Sequence, residues 1–179
     1  LPQPEAPTGL AEGAVRDFDA VYSEYFPFVW RCLRGLGVPD AGLDDAAQDV
    51  FVVVHRQLPA FRATSTLRTW LYGIVRNVAS NQRRARSRKG HADALDERLP
   101  SLEPDPAERA QDAQAAAFVQ HFVAALDAKK RDVFLLAVLE EMSIPEVAAA
   151  LSIPVNTAYS RLRLVRADFQ AALAKESHR

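Results

Sequence analysis

Between Leu95 and Glu108 the chain carries three prolines, Pro100, Pro104 and Pro106, with acidic residues between them, and no apolar periodicity survives. Proline removes a backbone donor and clashes inside a helix, and closely spaced charges offer no face to bury. The stretch therefore reads as a linker, and the chain on either side must supply its own cores. The expected organisation of the 179 residues is a tail at 1–14, an N-terminal domain at 15–90, a linker at 91–110 and a C-terminal domain at 111–175. Alanine is plentiful, β-branched runs are scarce and no useful strand-like alternation occurs, so both domains are expected to be all-α. Leu1 to Ala14 is rich in Pro, Gly and Ala, without a basic start or an apolar core; it reads as a disordered tail and not a signal peptide.

Net charge is −1, which alone argues against nucleic acid, but the charge is segregated. From Phe61 to Gly90 the chain holds Arg62, Arg68, Arg76, Arg83, Arg84, Arg86, Arg88 and Lys89 and no acidic residue. An acidic stretch follows, from Asp93 to Asp112. The lone Cys32 excludes an intramolecular disulfide, fits a reducing cytosol and reads as a small buried apolar residue. His55, His91, His121 and His178 lack ligand spacing, so neither a metal site nor any other cofactor is expected. No apolar stretch reaches membrane-spanning length. No convergent acid, base and nucleophile set is visible, so neither an enzyme nor a small-molecule substrate is expected.

Apolar spacing predicts three main helices in the first domain. The first covers about Val15 to Leu36, with Phe18, Val21, Tyr22, Tyr25, Val29 and Leu33 on its stripe and a kink or break expected near Phe26 because of Pro27. The second runs from about Asp40 to Leu58, with Ala47, Val50, Phe51, Val54 and Leu58 inward. Asp45, Gln48, Asp49 and Val52 form a second, outward stripe. The third runs from about Thr66 to Arg86, burying Leu67, Trp70, Leu71, Ile74 and Val78 while Asn77, Asn81 and Arg84 recur on another face. Four helices are expected in the second domain: Gln111–Leu126, Lys129–Leu139, a short one opened by the capping box Ser143-Ile-Pro-Glu146 and ending at Leu151, and a longer one from Val155 to about Ala174.

The last two helices, joined by Ser152-Ile153-Pro154, form a helix-turn-helix pattern. Ala158, Leu162, Val165 and Phe169 fall on the packing face, leaving Asn156, Thr157, Tyr159, Ser160, Arg161 and Arg163 outward, where such side chains can read base edges. Arg166, a turn further on, suits a phosphate. An ordinary helical hairpin with a solvated face fits the same pattern. In the acid-free helix, Trp70, Tyr72, Asn77 and Asn81 beside arginines suit unstacked bases, and Phe61-Arg-Ala-Thr-Ser-Thr66 could hold an extruded one. Core packing of Trp70 and Tyr72 is the competing reading.

Three motifs in order carry a family resemblance: Leu43-Asp-Asp-Ala-Ala-Gln-Asp-Val-Phe51; Phe61-Arg62 with Thr66-Leu-Arg-Thr-Trp-Leu-Tyr72 and Arg76-Asn77; and Val155-Asn-Thr-Ala-Tyr-Ser-Arg-Leu-Arg163. The chain resembles the extracytoplasmic-function (ECF) class of bacterial sigma factors over nearly its whole length apart from the tail and linker. The resemblance implies that Asp45, Gln48 and Asp49 dock on the β′ clamp helices of core RNA polymerase, with the β subunit also a partner. It implies that the −10 promoter element is read by the loop from Arg62 through Ser65 to Thr66 and by Asn77 and Asn81; Arg68, Trp70, Arg76 and Arg84 of the same basic, acid-free surface complete the candidate set. It places the −35 element on Ser160, Arg161 and Arg163, to which the outward face of the helix adds Asn156, Thr157, Tyr159 and Arg166 as candidates. It further implies a cytoplasmic protein, nucleoid-associated when active, and a cognate anti-sigma factor that holds it inactive, in some cases at the membrane. Ala46 and Ala47 are smaller than the family's usual aliphatics, and Ser152 and Asn156 stand where glycine is frequent. A stand-alone helix-turn-helix regulator is the alternative; it leaves the acidic stripe and the basic helix without a task.

Overall fold

The computed structural model describes residues 17–89 and 106–176. The tail at 1–14 and most of the linker lie outside the described residues. Seven α-helices are seen among them: α1 Phe18–Gly35, α2 Leu43–Gln57, α3 Leu67–Lys89, α4 Pro106–Ala125, α5 Ala128–Phe134, α6 Ile144–Leu151 and α7 Val155–Glu176. Short 3₁₀ turns flank α2 at Asp40–Gly42 and Leu58–Ala60. No strand occurs among the described residues.

Helices α1, α2 and α3 pack on one another as the first unit. Val29, Cys32 and Leu33 of α1 meet Val50 and Val54 of α2 and Leu71, Tyr72 and Val75 of α3, all fully buried. Removing a side chain of that size from water contributes roughly 1.5–3 kcal/mol each, which fixes the helices' rotation about their own axes. Asp17 caps α1 by accepting from Asp19 N, 3.2 Å away.

Two expectations about α1 need correction. Of the kink or break expected near Phe26, the break does not occur: α1 runs through Pro27 as one helix. Pro27 and Ser23, four residues earlier, are both exposed, so the carbonyl that loses its helical partner lies on the wet side of the helix. Nor does the stripe bury everything assigned to it: Val21, Val29 and Leu33 are core, but Tyr22 is 42% exposed. Phe18, Tyr22 and Phe26 form a separate ridge, one turn apart.

The second unit is built on aromatic packing. Phe122 of α4, Phe134 of α5 and Phe169 of α7 meet with ring centroids 5.0–5.3 Å apart. Helix α4 begins at Pro106, so the last residues of the expected 91–110 linker are helical. Proline is favoured in the first helical turn, where its missing N–H would have no intrahelical partner. The expected helix over 129–139 is α-helical only to Phe134; Leu135–Leu139 widens into a π-helical turn. Asp127 caps α5 by accepting from Lys129 N and Lys130 N.

The units are closed on each other. Helix α3 packs on α6, and α1 touches α4. Gly35 at the end of α1 admits Leu135 of the π-turn so closely that a Cβ there would stand 2.6 Å from Leu135 Cδ1.

Helix α6 ends with Ser152 in the left-handed conformation, φ 53° and ψ 47°, its N–H donating back to α6 carbonyls. That conformation costs a residue with a Cβ about 1–2 kcal/mol. Ser152→Gly is therefore expected to stabilise the fold by about 0.5–1 kcal/mol once glycine's larger unfolded-state entropy is offset. A rise in the urea midpoint at constant m-value checks this.

Candidate nucleic-acid interface

In the helix-turn-helix, the capping box forms its reach-back half: the Glu146 carboxylate accepts from Ser143 N at 3.0 Å and from Ser143 Oγ at 2.7 Å. These bonds favour the charged form and hold the Glu146 carboxyl below the usual carboxylate range. The chain then turns at Ser152 and restarts at Pro154, whose carbonyl accepts from Thr157 N and Ala158 N. Ala158, Leu162 and Val165 are buried, as expected, and Phe169 packs beside them. This rotation sends Asn156, Tyr159, Ser160, Arg163 and Arg166 to solvent. Tyr159 is 56% exposed, so its ring is presented and not packed.

Two residues of that set sit differently from expectation. Thr157 and Arg161 are half-buried. The charge of Arg161 bears on the buried Asp132, so it has a neighbour inside the protein. The Ser160 hydroxyl donates to Asn156 O at 2.9 Å, four residues back, so its proton is engaged while its lone pairs stay available.

The basic face of α3 divides in two. Arg62 and Thr66 of the preceding loop are exposed, with Ser65 half-buried, and Asn77, Asn81 and Arg84 follow on the helix surface. Arg84 donates to Asn81 Oδ1, which pre-orients both side chains. Thr66 caps α3, accepting from Thr69 N at 3.3 Å. Trp70 is half-buried with its ring centroid 4.9 Å from that of Phe61, so one edge packs and the other stays accessible. Arg68 and Arg76 turn toward the second unit: Arg68 Nη1 donates to Glu140 O at 3.0 Å, and Arg76 Nε lies 3.5 Å from Asp132 Oδ2. Burial pushes the Asp132 carboxyl up, and the nearby Arg76 pulls the other way. Tyr72 is fully buried, which corrects its reading as a base-stacking residue. Burial pushes the Tyr72 phenol up, and the neighbouring Asp132 carboxyl raises it further.

On α2, Asp45, Gln48, Asp49 and Val52 are exposed in one stripe, as expected, while Ala46 and Ala47 are buried. Small side chains at 46 and 47 therefore concern the core and leave the polar stripe as it is. Sequence reasoning missed what lies beside this stripe. An open groove of about 750 Å³ runs between α1 and α2, lined by Phe18, Tyr22, Phe26, Phe51, Val52 and His55, with Gln48 at its edge. Tyr22 and Phe51 face each other at 4.6 Å. The available signal was the aromatic spacing 18, 22 and 26, of which the core stripe took Phe18 and Tyr22.

The capping box carries a pH-dependent prediction. Because Glu146 has a lowered pKa, its stabilisation is present above the ordinary glutamate range and is lost as pH falls through its lowered value. Glu146→Ala should cost about 1 kcal/mol at neutral pH. Its deficit against the unsubstituted protein should shrink in acid, as followed by urea unfolding across pH.

Comparison with known proteins places this geometry. Residues 21–89 match Sigma-70 region 2, and residues 119–169 match Sigma-70, region 4. The ECF RNA polymerase sigma factor SigC of Mycobacterium tuberculosis is 32% identical over 90% of this chain and 88% of its own. The RNA polymerase sigma factor CnrH of Cupriavidus metallidurans is 28% identical over 94% of this chain and 93% of its own. The solved structure of CnrH with the cytosolic domain of CnrY superposes with a TM-score of 0.65 at 26% identity, covering 91% of both chains. The sigma factor RpoE of Bartonella quintana, solved with the anti-sigma factor NepR, shares the fold with a TM-score of 0.70 at 20% identity, over 89% of this chain and 98% of that one.

Proposed function

Because the chain belongs to the ECF RNA polymerase sigma factors, we propose a division of labour among its surfaces. The protein binds bacterial core RNA polymerase, directs it to promoters and assists opening of the −10 element. The observation that carries this reading is the order of its two modules, region 2 at 21–89 and region 4 at 119–169. In the proposed assignment the first domain covers 15–90 and the second 111–175. The α2 stripe of Asp45, Gln48 and Asp49 meets the β′ clamp helices. Its carboxylates are solvated and open to cationic partners.

The −10 strand is taken by Arg62, Ser65, Thr66, Arg68, Trp70, Arg76, Asn77, Asn81 and Arg84, with Trp70 offering its open ring edge to an unstacked base. The −35 duplex is met by the start of α7. Asn156, Tyr159, Ser160 and Arg163 face the groove, Arg166 meets phosphate, and Thr157 and Arg161 support the surface from its half-buried side. Its site of action is the cytoplasm, on the nucleoid; no helix among the described residues is long and apolar enough to cross a membrane. A cognate anti-sigma factor is part of the proposal. It rests on family membership, RpoE of B. quintana having been solved with one. The task is promoter selection and not catalysis, as in its sigma-factor relatives. A stand-alone regulator is not favoured, since it gives the region 2 module no role.

Reconstituted transcription tests the whole reading. Core polymerase plus this protein, on a template library that includes DNA upstream of its own gene, is expected to give discrete starts that neither component gives alone. Tight duplex binding by the protein with no initiation would overturn it. The docking assignment is tested separately. Asp45→Lys with Asp49→Lys should abolish core binding in a pull-down while leaving helix content unchanged, since both side chains are exposed and a cation at position 45, in the first turn of α2, costs only about 0.3–1 kcal/mol. Retained core affinity would count against the stripe.

A further inference from the structure

Exposed apolar side chains are ordinarily scattered singly, yet the groove between α1 and α2 gathers them. Phe18, Tyr22 and Phe26 stand one turn apart on its α1 wall, with successive ring centroids 6.1 and 5.4 Å from each other. Phe51 of α2 lies 4.6 Å from Tyr22, and His55 meets Phe18 edge-on at 4.9 Å. Tyr22 is 42% exposed on one wall and Val52 43% on the other. A chain segment that covers such a patch gains the free energy of removing it from water. The charges at the rim are unequal. His55 and Arg56, both exposed, mark the end near Phe18, and Asp44 lines the groove about three turns back along α2.

We propose that the segment 1–16 folds back on the first domain and seats Pro4-Glu-Ala-Pro7 in this groove, so that the chain carries its own competitor for the polymerase-docking face. The point of attachment supports this occupant. Asp17 leaves α1 with extended backbone, φ −63° and ψ 125°, and the next residue, Phe18, is already part of the groove wall. Tyr22, in the middle of that wall, is about 7.5 Å along the helix from Asp17. The nine residues from Thr8 to Arg16 include Gly9 and Gly13 and no proline. A flexible run of that length has a root-mean-square span of roughly 15–18 Å, enough to turn and reach the groove without strain. Composition supports it as well. Prolines three residues apart favour a polyproline II helix, which sets both rings on one side about 9 Å apart. Such segments dock on aromatic-lined grooves because little conformational entropy is left to lose. Residues 1–15 contain no basic residue, and Glu5, between the two prolines, complements His55 and Arg56. The groove shares Gln48 and Val52 with the acidic stripe, so a seated segment covers the flank of the docking face. The tether holds it at an effective concentration of about millimolar, and occupancy of about nine-tenths weakens a competing partner about tenfold.

The proposal rests on the sigma-factor reading only for the identity of the competing partner; the contact itself is measured without polymerase. A nitroxide at Gln3→Cys in the full chain, native Cys32 being buried, should broaden the amide NMR signals of Val52 and His55. Pro4→Gly with Pro7→Gly removes both rings and changes no residue of the seven helices, so the fold is retained. In that variant the broadening at Val52 and His55 should disappear. Equal broadening with and without the prolines, or none in either chain, would overturn the seating and leave the groove to an outside partner. A nitroxide-bearing chain mixed with isotope-labelled chain that lacks the nitroxide should leave those signals sharp. Broadening in the mixture would mean that a second copy fills the groove, which overturns the intramolecular contact. Affinity for core polymerase should rise about tenfold in the proline variant, and an unchanged affinity would overturn the competitor role. Failure of the sigma-factor reading would appear as no core binding by either chain and would leave the nitroxide contacts as they are.

Discussion

Helix α3 is packed from two sides. Leu71, Tyr72 and Val75 lock it into the first domain, and its opposite flank lies against α6 of the second. A helix clamped in this way keeps only a narrow polar strip, and a residue's position on that strip decides its task. Asn77, Asn81 and Arg84 lie in the open part. Arg68 and Arg76 lie on the flank and are drawn into interdomain pairs. Trp70 sits at the boundary, half in and half out. The same clamp buries the Tyr72 hydroxyl beside the Asp132 carboxyl of α5, where burial and that neighbouring charge both push the phenol up.

The all-α class, the helix count and the rotation of α2 and α7 were legible because 3.6-residue periodicity alone specifies them. Ala158, Leu162 and Val165 announce one face of α7, and Val50, Phe51 and Val54 one face of α2. The capping box at Ser143 and Glu146 was legible for a different reason, since it is a contact between residues three apart. What sequence pattern could not resolve came from longer range. Tyr72 and Tyr22 are both aromatic residues on amphipathic helices, and only the neighbouring helix decides that one is core and the other surface. The exposure of Asp45, Gln48 and Asp49 was readable from the helical period. Glu140 carried no signal, because its partners stand 109 and 72 residues away. Pro27 does not break α1, since losing a carbonyl's helical partner costs most where that carbonyl is buried, and here it faces water.

Electrostatics organise the molecule at two depths. At the surface, acids gather on α2 and bases on α3, solvated and ready for external partners. In the interior, Glu140 and Asp132 are buried against arginines of the opposite domain. The interior pairs confer register, because a bidentate guanidinium–carboxylate fork tolerates little displacement, whereas the apolar contact of Leu135 at Gly35 sets how near the domains come.

The groove between α1 and α2 shares Gln48 and Val52 with the acidic stripe, so one partner surface would cover both. Contact with the stripe is coulombic and weakens as ionic strength rises. Desolvation of Phe18, Tyr22 and Phe51 is apolar, strengthens with kosmotropic salts and lowers the heat capacity of the complex. A partner seated on both would therefore lose affinity with added chloride only down to a floor, and the height of that floor would measure how much of the aromatic groove it fills.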